Sequence, residues 1–394
     1  MYRIRGSARS AVAGVLMALL SLPLLLIDAE AHPATHGHGA GLTVMTRNVY
    51  LGGDITRPIR AAAGKTGPEA LLAVGHANDE LRRVVDATDF RVRSKLLAAE
   101  IAAARPDVVG LQEVALWRHG PLQLDQLGVR NATEVDYDFL TLLLKALPRH
   151  AEYRVVRVQN QTDVEAPAFQ GSPWDGTATD ARDVRLTVRD VLLVRRHSGV
   201  AVRATGSGQY QARLDVSLGG LPLSIVRGYV WADVVSGAKT VRVVNTHLES
   251  QSSDLALAQA RELMATPATS SRRTVLLCDC NSDPLNDSIR PGNTVPVSAA
   301  YRLMTGEQGF TDQWLTLRRP PRQMMTAALS ELVDDPTPAA LNRRLDLILT
   351  RSRPGDEVRA VRGDVTGDEV SDRDVPTGLW PADHAGVVIR LRIR

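Results

Sequence analysis

Runs of apolar and β-branched residues recur along the chain, and each run of this kind predicts a β-strand. The C-terminal run is the clearest example, because Ile389, Leu391 and Ile393 alternate with arginines and so define one buried and one solvated face. Strands are predicted at residues 42–46, 107–111, 153–158, 191–194, 224–235, 240–244, 274–278, 345–349 and 386–393.

Three stretches have the spacing of apolar residues that is typical of amphipathic helices, at residues 90–104, 136–147 and 255–264. Strands interspersed with helices, without an internal repeat, indicate a layered α/β or α+β domain. Three segments between the predicted elements are interpreted as surface insertions, at residues 52–88, 159–183 and 318–342.

The N-terminus has the three regions of a secretory signal peptide. Three arginines occur within the first ten residues, residues 11–27 are almost wholly apolar, and Ala29-Glu30-Ala31 provides a small-x-small cleavage site. A membrane anchor is the alternative, but a spanning helix needs about 20 apolar residues and Pro23 interrupts this stretch. We therefore predict a signal peptide at residues 1–31, cleaved after Ala31, and a secreted, extracellular protein.

The segment after the predicted cleavage site, residues 32–40, is small and polar and contains three histidines. These histidines have no fixed scaffold, so we interpret the segment as a flexible leader rather than a metal site. Residues 41–394 are predicted to form one large domain, and no segment in them is apolar and long enough to span a membrane.

The composition is that of an ordinary globular protein and excludes a disordered chain or a disulfide scaffold. The chain has 394 residues, 44% of them hydrophobic and 23% charged, and its 47 basic and 44 acidic residues give a net charge of +3. A charge this small allows a nucleic-acid partner without requiring one. Nothing in the pattern specifies an oligomeric state.

Polar residues of the types that commonly bind metals or phosphates lie at the ends of six of the apolar runs. One carboxylate in such a place is unremarkable, but buried acids are rare unless they are paired or bind a metal. Single members have structural alternatives: His247 as a core histidine, Asp346 paired with Arg343 or Arg344, and Asp383 as a turn residue. Those alternatives do not explain the whole set, which is Asn48, Glu113, His247, Asp279, Asn281, Asp346, Asp383 and His384.

The motifs that contain these residues resemble, in sequence and in order, those of the endonuclease/exonuclease/phosphatase superfamily. They are TRN, LQEV, NTHLE, DCN, LDLIL and DHAGV, and they extend from Asn48 almost to the C-terminus. The resemblance implies a four-layer sandwich, with two mixed β-sheets packed face to face and flanked by helices. It also implies that the motif residues gather at one rim of that sandwich.

The resemblance implies a divalent cation bound by Glu113, which matches the metal-binding glutamate of the superfamily. Carboxylates with water ligands suit Mg²⁺, and we expect this ion, with Mn²⁺ or Ca²⁺ as alternatives. Asp383 is a second acid for the metal site, and Asn48 is expected either to position Glu113 or to share the metal.

The other motif residues are candidates for catalysis of phosphate-ester hydrolysis. His384 is expected to pair with Asp346 and to face the phosphate. Asp279 is the candidate for orienting or deprotonating the attacking water, and Asn281 for donating to a phosphate oxygen. His247 is expected to stabilise the pentacovalent oxygens or to protonate the leaving group.

The DCN motif departs from the superfamily, which usually has Gly-Asp-Phe-Asn where this chain has Cys278-Asp279-Cys280-Asn281. In an extended strand the two cysteine Cα atoms would lie roughly 6.5–7 Å apart. A disulfide prefers about 5.5–6 Å, so we expect two thiols or a strained bridge.

Two further residues have an ambiguous role in the sequence. Asp190 is expected either to brace His247 or to form a surface ion pair with Arg189 or Arg195. Arg227 is expected either to contact phosphate or to have a structural role.

These inferences predict a secreted, Mg²⁺-dependent phosphoesterase that hydrolyses a phosphodiester. Mild basicity and the absence of an aromatic-rich hairpin for entering lipid favour nuclease-type activity on nucleic acid. A sphingomyelinase-like enzyme acting on a phospholipid headgroup, or an inositol-phosphatase-like enzyme, is the alternative. A non-catalytic binding module of the same fold is disfavoured, because the full residue set is present.

Overall fold

The structure is a computed structural model that describes residues 40–218, 220–319 and 323–394. All described residues belong to one compact unit. The predicted signal peptide and all of the predicted leader except Ala40 lie outside them. Among the described helices, none combines the length and the apolar character that crossing a membrane requires.

The larger of two principal β-sheets has eight strands. They are β1 (Ala40–Asn48), β2 (Val108–Gln112), β3 (Leu116–Pro121), β4 (Glu134–Asp138), β5 (Tyr153–Gln170), β6 (Thr179–Arg195), β15 (Val358–Thr366) and β16 (Gly386–Ile393). Their order is β15-β16-β1-β2-β6-β3-β4, and β5 pairs with β6. The sheet is mixed, because β1 is parallel to β2 and antiparallel to β16.

The smaller principal sheet has six strands in the order β13-β14-β12-β11-β10-β7. They are β7 (Ala201–Gln209), β10 (Gly228–Ser236), β11 (Lys239–His247), β12 (Arg273–Asp279), β13 (Thr311–Asp312) and β14 (Asp346–Ser352). Two further strands, β8 (Leu214–Leu218) and β9 (Leu221–Ile225), pair only with each other.

Seven α-helices are described. They are α1 (Arg57–Ala61), α2 (Gly67–Ala87), α3 (Phe90–Ala104), α4 (Phe139–Ala146), α5 (Ser253–Ala265), α6 (Ala299–Arg302) and α7 (Gln313–Thr316). Helix α3 has the predicted bounds, and α5 lies within two residues of its predicted bounds.

The two principal sheets pack face to face over a single apolar core. Val44 and Leu192 of the larger sheet and Val243 and Leu277 of the smaller one belong to one buried cluster, which α5 extends on the far side of the smaller sheet. Helices α3 and α4 cover the outer face of the larger sheet through a second cluster. The predicted four-layer sandwich of two mixed sheets flanked by helices is therefore confirmed.

Buried polar contacts join the sheets close to the site. Asn245 of β11 donates through Nδ2 to the carbonyl oxygens of Leu111 and Val191, at 2.9 and 3.2 Å. Gly110 allows this approach, because a Cβ atom there would lie 2.6 Å from Asn245 Oδ1. The amide at position 245 thus ties the smaller sheet to the larger one.

Four predicted segments differ from the structure. The segment 159–183 is not only a surface insertion, since all of it except residues 171–178 belongs to the long strands β5 and β6. The helix predicted at 136–147 starts at Phe139, because residues up to Asp138 form β4 and Asp138 caps the helix through Thr141 N. The strand predicted at 224–235 is broken at residues 226–227, between β9 and β10. The segment 52–88 is not only a surface insertion, since most of it is α2, whose apolar face is buried.

Strand direction explains why the motifs meet. Strands β1, β2, β11 and β12 all end at one edge of the sandwich, whereas β14 and β16 are antiparallel to their neighbours and begin there. His247 is directly paired in register with Asp279, and Asp279 with Asp346. Residues far apart in sequence therefore meet at this edge.

Candidate active site

A cavity of about 540 Å³ lies at this edge. Six of the eight predicted site residues line it, namely Glu113, His247, Asp279, Asn281, Asp383 and His384. The other two, Asn48 and Asp346, are buried and bond to Asp279 and His384. The structure therefore brings all eight residues together.

His384 and Asp346 form a buried pair. The His384 Nδ1 and Asp346 Oδ2 atoms are 2.8 Å apart, while Arg344 pairs with Asp312 instead, at 2.7 Å. Burial alone would lower the pKa of His384, but the negative charges of Asp346, Asp383 and Asp279 outweigh it and raise that pKa well above its usual value. The imidazole is therefore held as a cation with a fixed orientation.

Asp279 lies at the centre of the site. Its Oδ2 accepts from Asn48 Nδ2 at 2.9 Å, and its Oδ1 accepts from the Asn281 backbone N–H at 3.2 Å. Burial raises the pKa of Asp279 to about 6, against the opposing charge of His384. A carboxylate with this pKa is ionised at neutral pH and is a stronger base than an exposed aspartate.

His247 is neutral in this environment. Burial first, and then the positive charges of Arg227 and His384, lower its pKa well below the usual value. Arg227 Nη1, which can only donate, lies 2.8 Å from His247 Nδ1 and 3.2 Å from its Nε2. Because Nδ1 is the nearer nitrogen and Nε2 also lies 3.3 Å from the acceptor Asp279 Oδ2, we assign the imidazole proton to Nε2.

The side-chain amide of Asn281 completes this side of the cavity. Its Nδ2 donates to the Leu248 carbonyl oxygen at 3.0 Å and lies 3.0 Å from His247 Nε2. If Nε2 carries the proton, it cannot accept from Asn281. One amide hydrogen of Asn281 is then available to an oxygen in the cavity.

Glu113 and Asp383 have the properties of a cation-binding pair. Burial raises the pKa of both, to about 6 for Asp383, and the negative charge of Glu113 contributes to the raised pKa of Asp383. Within the described ranges neither side chain forms an ion pair, and Asp383 Oδ1 is buried without a hydrogen-bond partner. Two unpaired carboxylates with an unsatisfied oxygen fit a hard divalent cation.

Asn48 does not position Glu113 through a direct contact. Its Nδ2 donates to Asp279, and its Oδ1 accepts from the Tyr50 backbone N–H at 2.8 Å. Glu113 is held instead by the Leu51 backbone N–H, which donates to Oε2 at 3.0 Å. Asn48 therefore orients Asp279 and not Glu113, and the alternative that Asn48 shares the metal stays a prediction.

A second group of side chains could also hold a cation. One ligand atom from each of Asp279, Asp346 and His384 lies within 4.8 Å of the other two. In this group, however, the Nδ1 atom of His384 is already bonded to Asp346, and the cationic imidazole opposes a metal ion. Glu113 and Asp383 have no such internal partner, which makes them the better cation ligands.

The backbone at the site adopts conformations that non-glycine residues rarely adopt. The φ angles of Tyr50, Glu113 and Asn281 are 62°, 59° and 43°. Asparagine tolerates the left-handed region, but glutamate and tyrosine do so less readily. Such strain persists only where the surroundings fix it, and it is concentrated at functional sites.

Two buried arginines that the sequence analysis did not single out fix the loops of the site. Arg93 donates to the carbonyl oxygens of Val49 and Pro381, at 2.8 and 3.1 Å, and so joins the segments that carry Asn48 and Asp383. The sequence contains a signal that Arg93 is buried, because Arg93 lies on the same helical face as the buried Leu97. Arg47 similarly donates to the His384 carbonyl oxygen.

The structure shows the contacts of Asp190 and the state of the two cysteines. Among the described residues, Asp190 has no hydrogen bond with His247 and no ion pair; its Oδ2 accepts from Gln161 at 2.9 Å, and burial raises its pKa to about 7. Cys278 and Cys280 form a disulfide. Their Cα atoms are 5.0 Å apart, shorter than expected, because β12 ends at Asp279 and the chain is no longer extended.

Arg227 lines the cavity and holds His247, which leads to a testable expectation. Arg227→Gln should lower kcat by about 10–100-fold, since a hydrogen bond to a charged group is worth about 1.5–3 kcal/mol. The variant should also raise the pKa of His247, because a nearby positive charge is lost. NMR titration of the histidines against pH measures this shift.

Arg343→Gln is the matched control, because Arg343 lines the same cavity and has no contact with His247. It should leave the His247 titration unchanged. An unchanged His247 pKa in Arg227→Gln would contradict the assigned contact.

Comparison with solved structures finds several that match most of this chain and nearly all of their own length. A humanized TDP2 from D. rerio has a TM-score of 0.49 at 15% identity over 89% of this chain and 98% of its own. An endonuclease/exonuclease/phosphatase family protein from Bacteroides thetaiotaomicron has a TM-score of 0.49 at 14% identity over 90% and 98%. A mannosyl-6-phosphatase from the same species has a TM-score of 0.48 at 14% identity over 89% and 99%.

No family model and no curated protein matches the chain. Structures named for the endonuclease/exonuclease/phosphatase family, to which the motifs have a resemblance, are thus among those this chain is similar to. Their TM-scores lie below 0.5, so the conclusions below rest on the residues of this chain.

Proposed function

We propose that the chain is a member of the endonuclease/exonuclease/phosphatase superfamily and hydrolyses a phosphodiester with the help of a divalent cation. One observation carries the proposal: two half-buried carboxylates without an ion-pair partner among the described residues line the same cavity as His384, which is paired with Asp346. Carboxylates removed from water without a partner are costly, and a bound cation would remove that cost, whereas a module that only binds a ligand does not require the histidine–aspartate pair beside them.

Glu113 and Asp383 would hold the cation, and Mg²⁺ is the ion that suits them best. When bound, the ion would neutralise charge on the phosphoryl oxygens. Asp279 orients the attacking water and accepts its proton. The His384 cation, held by Asp346, donates to a phosphoryl oxygen and gives its proton to the leaving oxygen as the bond from phosphorus to that oxygen breaks. Asn281 and the Nε2–H of His247 stabilise charge that develops beside them. The neutral state of His247 favours this stabilising role over proton donation.

The proposal includes export of the protein, and its candidate substrates are nucleic acid and, as the alternative, a phospholipid headgroup or an inositol phosphate. Export is supported by the n-, h- and c-region pattern of residues 1–31, and it agrees with the Cys278–Cys280 disulfide, since disulfides persist in oxidising compartments. Two arginines in the cavity, Arg227 and Arg343, supply the positive charge that a nucleic-acid backbone would require.

The test of the proposal is hydrolysis of bis-p-nitrophenyl phosphate with Mg²⁺ and with a chelator. We expect turnover that stops on chelation and returns with added Mg²⁺. Turnover that is indifferent to chelation would contradict the metal mechanism. Plasmid DNA, RNA, sphingomyelin and inositol phosphates under the same conditions then separate nuclease activity from the alternatives.

Glu113→Gln is expected to raise the Mg²⁺ concentration for half-maximal turnover at least about tenfold, because changes to outer-shell partners alone already cost 10–100-fold in metal affinity. The amide keeps the shape of the side chain and removes its charge. Glu249→Gln is the matched control, since Glu249 lines the cavity but is not proposed as a ligand. An unaltered Mg²⁺ requirement in Glu113→Gln would refute the ligand assignment.

A further inference from the structure

An apolar groove lies beside the candidate active site, beneath the hairpin formed by β8 and β9. It has a volume of about 480 Å³ and is lined mainly by aliphatic side chains from the hairpin, from α1 and from the larger sheet. Those that matter here are Ile59, Leu186, Leu218, Leu221, Leu223 and Val226. A further apolar recess of about 200 Å³ shares Leu218 and Leu221 with it.

The hairpin turns its apolar face inward without filling the groove. Along β8, the half-buried Leu214, Val216 and Leu218 alternate with the exposed Asp215 and Ser217. The hairpin pairs with no other strand in the part of the chain that the structure describes, and Leu221 of β9 is 38% exposed. Half-buried leucines on an inner face mark a surface that gains from further burial of apolar groups.

The groove and the catalytic cavity adjoin each other. Ile55 lines both, and the chain passes from Val226 in the groove to Arg227 in the cavity. A ligand whose phosphate lies near Arg227 therefore has the groove as the adjacent space for a substituent of that phosphate.

The charges around the groove do not suit a polyanion. Asp163 is neutralised by Arg185 at 2.7 Å, and Glu165 accepts from the Ala132 backbone N–H at 2.9 Å. Among the described residues of this lining, Arg130 is the one basic residue. A nucleic-acid strand leaving the cavity on this side would meet aliphatic side chains and two acids.

We propose that the groove is a substrate subsite that binds an alkyl or acyl chain attached to the phosphate. This inference rests on the proposed function and selects, among its substrates, a lipid-type phosphate ester rather than nucleic acid. The lipid-entering element expected from the sequence is an aromatic-rich hairpin, whereas β8 and β9 form an aliphatic one.

The test compares methyl and octyl p-nitrophenyl phosphate, with Mg²⁺, as substrates of the protein purified from expression of the full chain. Each methylene group that leaves water completely should favour binding by about fourfold. With partial burial we expect kcat/KM for the octyl ester to exceed that for the methyl ester at least tenfold. Equal values, or cleavage of plasmid DNA without any preference for the octyl ester, would overturn the inference.

Leu223→Trp fills the groove and should reduce this preference to less than about twofold without lowering turnover of the methyl ester. Leu218→Asp, which places a charge in the groove, should have the same effect. This second variant keeps the test valid if Leu223→Trp does not fold. Val361→Trp is the matched control, because Val361 is exposed and lines neither cavity. A preference that persists in both groove variants would overturn the inference.

A binding measurement separates this inference from the proposed function. Octylphosphonate and methylphosphonate cannot be hydrolysed, and calorimetry gives their affinities directly. We expect octylphosphonate to bind at least tenfold more tightly, with the difference lost in Leu223→Trp. Tighter octylphosphonate binding without any ester hydrolysis would leave the subsite standing and remove the proposed activity, whereas equal or undetectable binding of both would remove the subsite.

Discussion

Replacing His384 with alanine is expected to lower kcat by about 10²–10⁴-fold, the range typical of general acid–base groups, while the fold stays intact. The imidazole is a cationic group of the site and is fixed by Asp346, so its removal takes away both a charge and a proton donor. Its side chain is 11% exposed and lies at the cavity surface, so the truncation should have little effect on the core. Steady-state kinetics and circular dichroism on the same sample measure the two expectations.

Asp346→Asn tests whether His384 acts through this pair. The negative charge of Asp346 helps to raise the pKa of His384, so its loss should lower that pKa. A group with a raised pKa is charged up to a higher pH, and the variant should therefore lose activity at a lower pH on the alkaline side than the unaltered protein. A rate for His384→Ala close to that of the unaltered protein would refute the assignment.

Asp279→Ala should lower kcat at least as much as His384→Ala. Asp279 lines the cavity in which the attacking water would lie, and its carboxylate orients three neighbouring groups. Asn48, His247 and the Asn281 backbone all meet its carboxylate. Groups that act as a unit have strongly non-additive effects, so Asp279→Ala combined with His384→Ala should cost little more than either alone. Kinetics on the two single variants and the double variant measure this coupling.

Asp279→Asn separates charge from shape. It keeps the hydrogen-bonding outline and removes the base, so its kcat should stay close to that of Asp279→Ala. Asp190→Asn is the matched control, a buried aspartate near the site that is not assigned to the chemistry. Substantial recovery of kcat in Asp279→Asn would show that Asp279 acts by position rather than as a base.

The strands that carry the motifs were predictable from the sequence, because β-branched apolar runs identify them and polar residues follow at their ends. The convergence of those ends was not derivable from the local pattern, since it depends on which strands are parallel. Because β14 and β16 are antiparallel to β12 and β1, they begin at the edge where β12 ends, and this brings Asp346 and His384 to that edge. The resemblance to a known superfamily supplied that information.

Other features depended on tertiary contacts that no local pattern specifies. Arg227 became identifiable as the partner of His247 only when β10 was aligned beside β11. The break at residues 226–227 interrupts a run that reads as one strand, and so the β8–β9 hairpin and its groove were missed. The Cys278–Cys280 bridge required the turn after Asp279, which an extended strand would not contain.

The most direct test of the central claim is a titration of the purified protein with Mn²⁺, followed by electron paramagnetic resonance. The claim is that Glu113 and Asp383, and not the histidine-containing group, hold one divalent cation. We expect one tight ion in the unaltered protein, its loss when Glu113→Gln and Asp383→Asn are combined, and its retention in Asp346→Asn. Retention in the first variant, or loss in the second, would contradict the account.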